Sequence, residues 1–129
     1  MTSLTLRKIF TDSAPAPFGH YAQAIGAGGL IFVSGQLAPT ADGRHLADQP
    51  FEVQARQAMQ NLVGIVEAGG SSRSKIVKVT AYIVGVEHWP VFDAVYASVL
   101  GEWTPARSVV PVPELHHGYL IEIDAIAAV

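Results

Sequence analysis

The stretch Tyr119-Leu-Ile-Glu-Ile-Asp-Ala-Ile126 decides the fold. Side chains two apart on an extended chain share a face, so Glu122 and Asp124 point one way while Ile121, Ile123 and Ala125 point the other. Such a strand asks for helices over its isoleucine face, and two stand upstream. Asp48 and Pro50 mark the start of the first, and Phe51, Ala55, Ala58, Met59, Leu62, Ile65 and Val66 recur at spacings of three and four until Gly69-Gly70. Pro90 fits the first turn of the second, whose buried stripe is Phe92, Val95, Tyr96 and Val99.

Strands make up the rest. Residues 76–84 are rich in β-branched side chains and alternate Lys78, Thr80 and Tyr82 with Val77, Val79, Ala81 and Ile83. Residues 21–25 and 30–36 read as extended, with Gly26, Gly28 and Gly29 suited to a hairpin turn between them. Residues 5–10 are a short extended candidate, and Ser13-Ala-Pro-Ala-Pro17 is a loop because its prolines fix φ. The last two strands span residues 106–112 and 119–127, separated by residues 113–118. The expected order is β-β-β-α-β-α-β-β in one α+β domain over residues 1–129. Two helices pack on one face of a sheet of about five strands, the first extended segment being short. No linker, repeat or low-complexity stretch divides the chain.

The opposite sheet face should carry Ser34, Gln36, Thr80, Tyr82, Glu122 and Asp124 amid apolar neighbours. That face is too mixed for a core and too apolar for bare surface. Several subunits could close their sheets into a shared barrel-like centre. Composition agrees, since 50% of the residues are hydrophobic and only 15% are charged, which is apolar for a small soluble monomer.

A formal charge of −3 and eight scattered basic residues provide no footprint for nucleic acid. The absence of cysteine excludes disulfides, a thiol nucleophile and a zinc–thiolate site, and fits a reducing compartment. Residues 1–10 have no apolar run of the signal-peptide kind, and no segment approaches the ~20 apolar residues of a membrane span. A soluble, cytoplasmic protein with no membrane partner is expected.

The sharpest local feature is Thr104-Pro-Ala-Arg107-Ser-Val-Val110. Pro105 sets the entry of a strand, and Arg107 stands where loop meets sheet. A guanidinium there can hold a carboxylate through two parallel hydrogen bonds, which lysine cannot do. A purely structural arginine is the competing interpretation. If the last two strands pair as an antiparallel hairpin, Glu122 or Asp124 falls near Arg107. An anion-holding Arg beside a proton-accepting carboxylate is a plausible hydrolytic pair, and a structural salt bridge is equally compatible with that pairing.

Five histidines show no ligand spacing, with His116-His117 in a turn and His20, His45 and His88 apart, so no metal is expected. Ser72-Arg-Ser-Lys75 has a Ser-x-x-Lys spacing without the other elements of that catalytic class, and reads as a turn. Gly26, Gly28 and Gly29 complete no phosphate-cradling fingerprint, so no nucleotide cofactor is implied.

With these pieces in place, the chain resembles the RidA family, also called the YjgF or L-PSP family, over residues 14–127. The matching motifs are Gly19-His-Tyr21-Ala-Gln-Ala24, Ile31-Phe-Val-Ser34-Gly-Gln36, Gln54-Ala-Arg-Gln57 with Asn61-Leu62, Ile76-Val-Lys-Val-Thr80, Pro105-Ala-Arg107-Ser108 and Ile121-Glu122-Ile-Asp-Ala-Ile126. The resemblance implies a chorismate-mutase-like α+β homotrimer with intersubunit sites. It further implies hydrolysis of 2-imino acids and enamines such as 2-aminoacrylate, 2-iminopropanoate and 2-iminobutanoate to 2-keto acids and ammonia, without a cofactor. Arg107 would correspond to the substrate-carboxylate anchor and Glu122 to the residue that positions and activates water. Tyr21 and Ser34 match pocket positions, and main-chain groups near Val109 would orient the substrate nitrogen. His20 stands where the family archetype has Pro, Asp93 replaces a pocket Asn, and Val109 replaces a Cys. The changes at 93 and 109 bear on substrate range. The competing functions are a non-catalytic small-acid binding or regulatory protein, a specialised aminomuconate- or aminoacrylate-type deaminase, and an endoribonuclease, which the acidic balance disfavours.

Overall fold

A computed structural model describes residues 4–129. Its elements are β1 (Leu6–Ile9), β2 (Ala24–Ala27), β3 (Leu30–Gln36), α1 (Phe51–Ala68), β4 (Ile76–Ile83), α2 (Trp89–Leu100), β5 (Ala106–Pro111) and β6 (Ile121–Ala128). The strands form one six-stranded sheet in the order β1-β2-β3-β6-β4-β5. Every pairing is antiparallel except β4 with β5.

The expected hairpin between the last two strands does not form. β5 pairs in parallel with β4, reached through α2, while β6 crosses back to lie between β3 and β4. The physical reason is apolar content. β6 buries Ile121, Ile123, Ala125 and Ala127 almost completely and therefore belongs in the centre. β5 ends at Pro111 and is exposed at four of its six positions, and proline, having no N–H to give a ladder, is tolerated at an edge.

α1 and α2 cover the isoleucine face. The α1 stripe buries Phe51, Ala55, Ala58, Met59, Leu62, Ile65 and Val66 as the periodicity requires, and adds Gln54, Asn61 and Val63. The two buried amides tie the helix to its surroundings. Gln54 Nε2 donates to the carbonyls of Ala47 (3.2 Å) and Gln49 (2.9 Å), and its Oε1 accepts from Leu120 N at 2.9 Å. Asn61 Nδ2 donates to the carbonyls of Leu37 (3.2 Å) and Pro39 (2.9 Å). Asp48 makes no cap; Pro50 occupies the N-cap position. In α2 the buried residues are Phe92, Val95, Tyr96 and Leu100, with Val99 only partly covered.

The β2 strand begins later than expected, at Ala24 rather than residue 21. Gln23 explains the shift. Its buried side chain accepts from Thr11 N at 2.7 Å and donates to the carbonyls of Thr11 (3.1 Å) and Pro15 (2.9 Å), holding residues 19–23 as a loop against the proline segment. The hairpin turn falls on Gly28 and Gly29, both with positive φ (58° and 80°), which side chains other than glycine's rarely tolerate. Gly26 lies inside β2.

The face away from the helices carries Phe32, Lys78, Thr80, Tyr82, Ser108, Val110, Glu122, Asp124 and Ile126, all at least partly exposed. Gln36 does not join it. The β3–β6 register slips between Val33 and Gln36, where three residue steps on β3 answer two on β6, so Gln36 stands opposite Ile123 and turns into the core. Among the described residues no helix is long and apolar enough to cross a membrane.

Candidate active site

Arg107 occupies the second position of the edge strand β5, beside Val79 of β4. Neighbours in register point to the same side of a sheet, so its side chain rises toward the helices and meets α2. The guanidinium carbon lies 4.9 Å from the Tyr96 ring centre and 5.6 Å from that of Phe92. Nη1 donates to Asp93 Oδ1 at 2.6 Å. Among the described residues Nε and Nη2 make no hydrogen bond, and the side chain is 25% exposed. A planar cation fixed by two rings and one carboxylate presents one edge in a set direction.

Arg107 lines a cleft of about 400 Å³ between the end of α2 and the entry to β5. Trp103 stands on its rim, its indole N–H donating to the Ile76 carbonyl at 2.8 Å. Tyr96 lines the same cleft, yet its hydroxyl is buried without a hydrogen-bond partner. Burial pushes that hydroxyl up to about 12, with Arg107 pulling it down and Asp93 pushing it up. It stays neutral at any working pH. Val109, two residues beyond Arg107 on the same side, is half-buried and packs against the core.

Glu122 stands opposite Tyr82, on the sheet face away from the helices. Arg107 and Glu122 are therefore separated by β4 and point to opposite faces of one chain. The Glu122 carboxylate lies against Gly35, where a Cβ would collide with it. Burial and then the charge of Asp124 hold Glu122 above the usual glutamate range, with His116 working the other way. Burial likewise raises Asp124, opposed by Lys78. Lys78 Nζ is held by Thr80 Oγ1 and Ser108 Oγ, each at 3.3 Å.

Tyr21 and Ser34 share a cleft of about 690 Å³ that also includes Lys8, Phe10 and His20. Ser34 Oγ donates to the Ala22 carbonyl at 2.7 Å. The Tyr21 ring is 41% exposed and meets Phe18 edge-on at 6.4 Å. The residues singled out in the sequence thus fall into two groups. Arg107, Asp93 and Val109 belong to the α2 side, while Ser34 with the adjacent Gly35, Glu122 and Tyr21 lie along the far side of β3 and β6.

Three features of the structure carry little or no signal in the sequence. Gly35 could have been noticed as an isolated glycine inside a strand pattern, which signals a bulge or a close approach. Phe92 and Tyr96 belong to the core stripe of α2, and nothing in their spacing says that a guanidinium lies on them. The third is a histidine group: His45 Nδ1 lies 2.7 Å from the Tyr119 hydroxyl, and the His117 ring centre is 4.8 Å from that of His45 and 3.7 Å from that of His116. Among the described residues no three His, Asp or Glu side chains are placed to hold a metal ion.

A family model described as Endoribonuclease L-PSP matches residues 11–129. A RutC family protein of Pyrococcus horikoshii is 40% identical over 119 residues, covering 92% of this chain and 94% of the relative. A protein of Dermatophagoides farinae named 2-iminobutanoate/2-iminopropanoate deaminase is 33% identical over 123 residues, 95% of this chain and 96% of its own. The crystal structure of Escherichia coli TdcF with bound serine superposes with a TM-score of 0.90 at 31% identity, covering 95% of this chain and 98% of that one. The chain belongs to the L-PSP family, the family of RidA and RutC proteins that its motifs resemble.

Proposed function

We propose that this protein hydrolyses 2-imino acids and their enamine tautomers, 2-aminoacrylate, 2-iminopropanoate and 2-iminobutanoate, to 2-keto acids and ammonia, at sites shared between copies of the chain. The observation that carries this is the Arg107 guanidinium, clamped on two rings at the wall of a cleft, with Nε and Nη2 making no hydrogen bond among the described residues. A related protein bears the deaminase name, and another binds serine, a small amino acid with the carboxylate such an edge would take.

In this mechanism the substrate carboxylate accepts two hydrogen bonds from Nε and Nη2. Glu122 of a second copy, carried on the exposed sheet face, holds a water beside the imine carbon. As the water oxygen bonds to that carbon, Glu122 takes one of its protons and passes it to the imine nitrogen, so that the carboxylate is regenerated. The resulting carbinolamine loses ammonia, which leaves the 2-keto acid. Main-chain groups along the free edge of β5 near Val109 orient the nitrogen, and Tyr21 and Ser34 close the pocket. Imines hydrolyse unaided, so orientation and general-base help worth roughly 10²–10⁴-fold are sufficient, and no cofactor takes part.

The opposed directions of Arg107 and Glu122 favour a shared site, because no motion short of unfolding brings them together within one sheet. The test generates 2-iminopropanoate or 2-iminobutanoate with an amino-acid oxidase and follows keto-acid release. Wild type should accelerate it, and Arg107→Ala should lower kcat/KM roughly a hundredfold or more. Equal rates for the two proteins, or none above background for wild type, would exclude the assignment. Salt-dependent RNA cleavage in place of imine hydrolysis would point to the endoribonuclease alternative.

A further inference from the structure

We propose that Asp93 sets the substrate range of the Arg107 site, admitting imino acids with one carboxylate and a neutral or cationic side chain and rejecting those with a second acid group. Asp93 has this role only if Arg107 docks a carboxylate, as proposed above.

The ion pair is short, with Nη1 at 2.6 Å from Oδ1, and the Asp93 side chain is 59% exposed toward the cleft mouth. One side of the guanidinium is thereby occupied by the protein's own anion. The local charge is close to zero, whereas an unpaired arginine would present a full positive charge. A first carboxylate still gains the two hydrogen bonds of the open edge, and their directionality offsets the repulsion from Asp93. A second acid group on a ligand of amino-acid size would lie within several ångströms of Asp93. Among the described residues Arg107 is the one cationic side chain that this chain brings to the cleft, so on this side of the site no second cation compensates that charge.

The remaining walls suit a different tail. Tyr96, Leu100, Pro105 and Trp103 make them largely apolar and aromatic. Trp103 is 44% exposed while its indole N–H is tied to Ile76, so the ring is a fixed shelf. A neutral tail can rest on it, and a cationic tail gains both the ring face and the Asp93 carboxylate.

Calorimetric titration of wild type, Asp93→Asn and Asp93→Glu with 2-oxobutanoate, 2-oxoglutarate and 4-guanidinobutanoate tests this. These stable acids carry one carboxylate, two carboxylates, and one carboxylate with a cation. Wild type should prefer the first and third over 2-oxoglutarate. Asp93→Asn should improve 2-oxoglutarate relative to 2-oxobutanoate by about tenfold and cost 4-guanidinobutanoate its advantage, the size expected for one unit charge a few ångströms away at the protein surface. Asp93→Glu keeps the charge and should keep the wild-type order. Unchanged ratios in Asp93→Asn, or no binding of any of the three to wild type, overturn the proposal. The imines of 2-oxobutanoate and 2-oxoglutarate are then assayed for turnover with the same proteins. Expected binding order without turnover leaves Asp93 selection standing and removes the deaminase assignment. Turnover with selectivity indifferent to Asp93→Asn does the reverse.

Discussion

Arg107 is positioned by aromatic faces more than by charge. Its partner Asp93 is exposed, where an ion pair contributes little to stability, while Tyr96 and Phe92 fix the guanidinium plane from beneath. The Tyr96 hydroxyl is a cost within this arrangement, since it is buried and donates to nothing among the described residues. A buried polar group without a partner destabilises by its lost hydration. Tyr96→Phe, which keeps the ring under Arg107, should therefore raise unfolding free energy by about 1 kcal/mol in urea denaturation and leave kcat/KM near wild type. A loss of stability of similar size would show that the hydroxyl is satisfied after all.

At the level of elements, β6 and the bulge of β3 together make the acid side of the proposed site. The bulge at Gly35 leaves the Glu122 carboxylate room beside a backbone without a side chain, and half-burial there raises its affinity for protons. The native chain therefore binds protons that the unfolded chain has released, over the range from the usual glutamate value of 4.5 up to the raised one. In that range the unfolded state holds fewer protons, so stability falls as pH rises. The contribution is present in full below the unfolded value and is lost as pH climbs through the folded one. Asp124 acts in the same sense from its usual value of 3.8. Denaturation of Glu122→Gln should show a flatter decline over this range and higher stability than wild type at neutral pH. General-base action needs the ionised form, so wild-type kcat/KM should rise with an acid limb above pH 4.5. A kcat/KM that does not change with pH across the carboxylate range would mean that Glu122 is not the base.

The whole molecule leaves one broad sheet face uncovered. Phe32 is 42% exposed on it, with Ile126 beside it, Val110 on the far edge strand and charged or hydroxylic residues between. Large apolar side chains set among polar ones mark an interaction surface. Sedimentation at micromolar concentration should find a trimer, and Phe32→Glu should shift it to monomer with loss of imine hydrolysis. A site shared between copies makes a sharper demand. Arg107→Ala and Glu122→Ala should each be inactive, yet after subunit exchange about a quarter of the sites would combine an intact Arg107 with an intact Glu122. Recovery of roughly that share of wild-type rate is expected. Mixtures as dead as their parents would place both residues in the work of a single chain, against the directions in which they point.

Local periodicity carried a large part of the outcome: the α1 stripe, the proline start of α2, the alternation of β4 and β6, and the motifs around Arg107 and Glu122 were all legible in order along the chain. These depend on neighbours within a few residues, where helix and strand repeats dictate which side chains share a face. Pairing partners were not legible. Whether β6 lies beside β5 or between β3 and β4 depends on which strand has the most apolar surface to bury, a competition settled by the assembled core. The same holds for Gln36, turned inward by a slip of register at Gly35, and for the Asp93–Arg107 ion pair, which joins a helix to a strand edge. Sequence named the chemical groups, because their identities are local; their directions came from the sheet, because each depends on every strand between them.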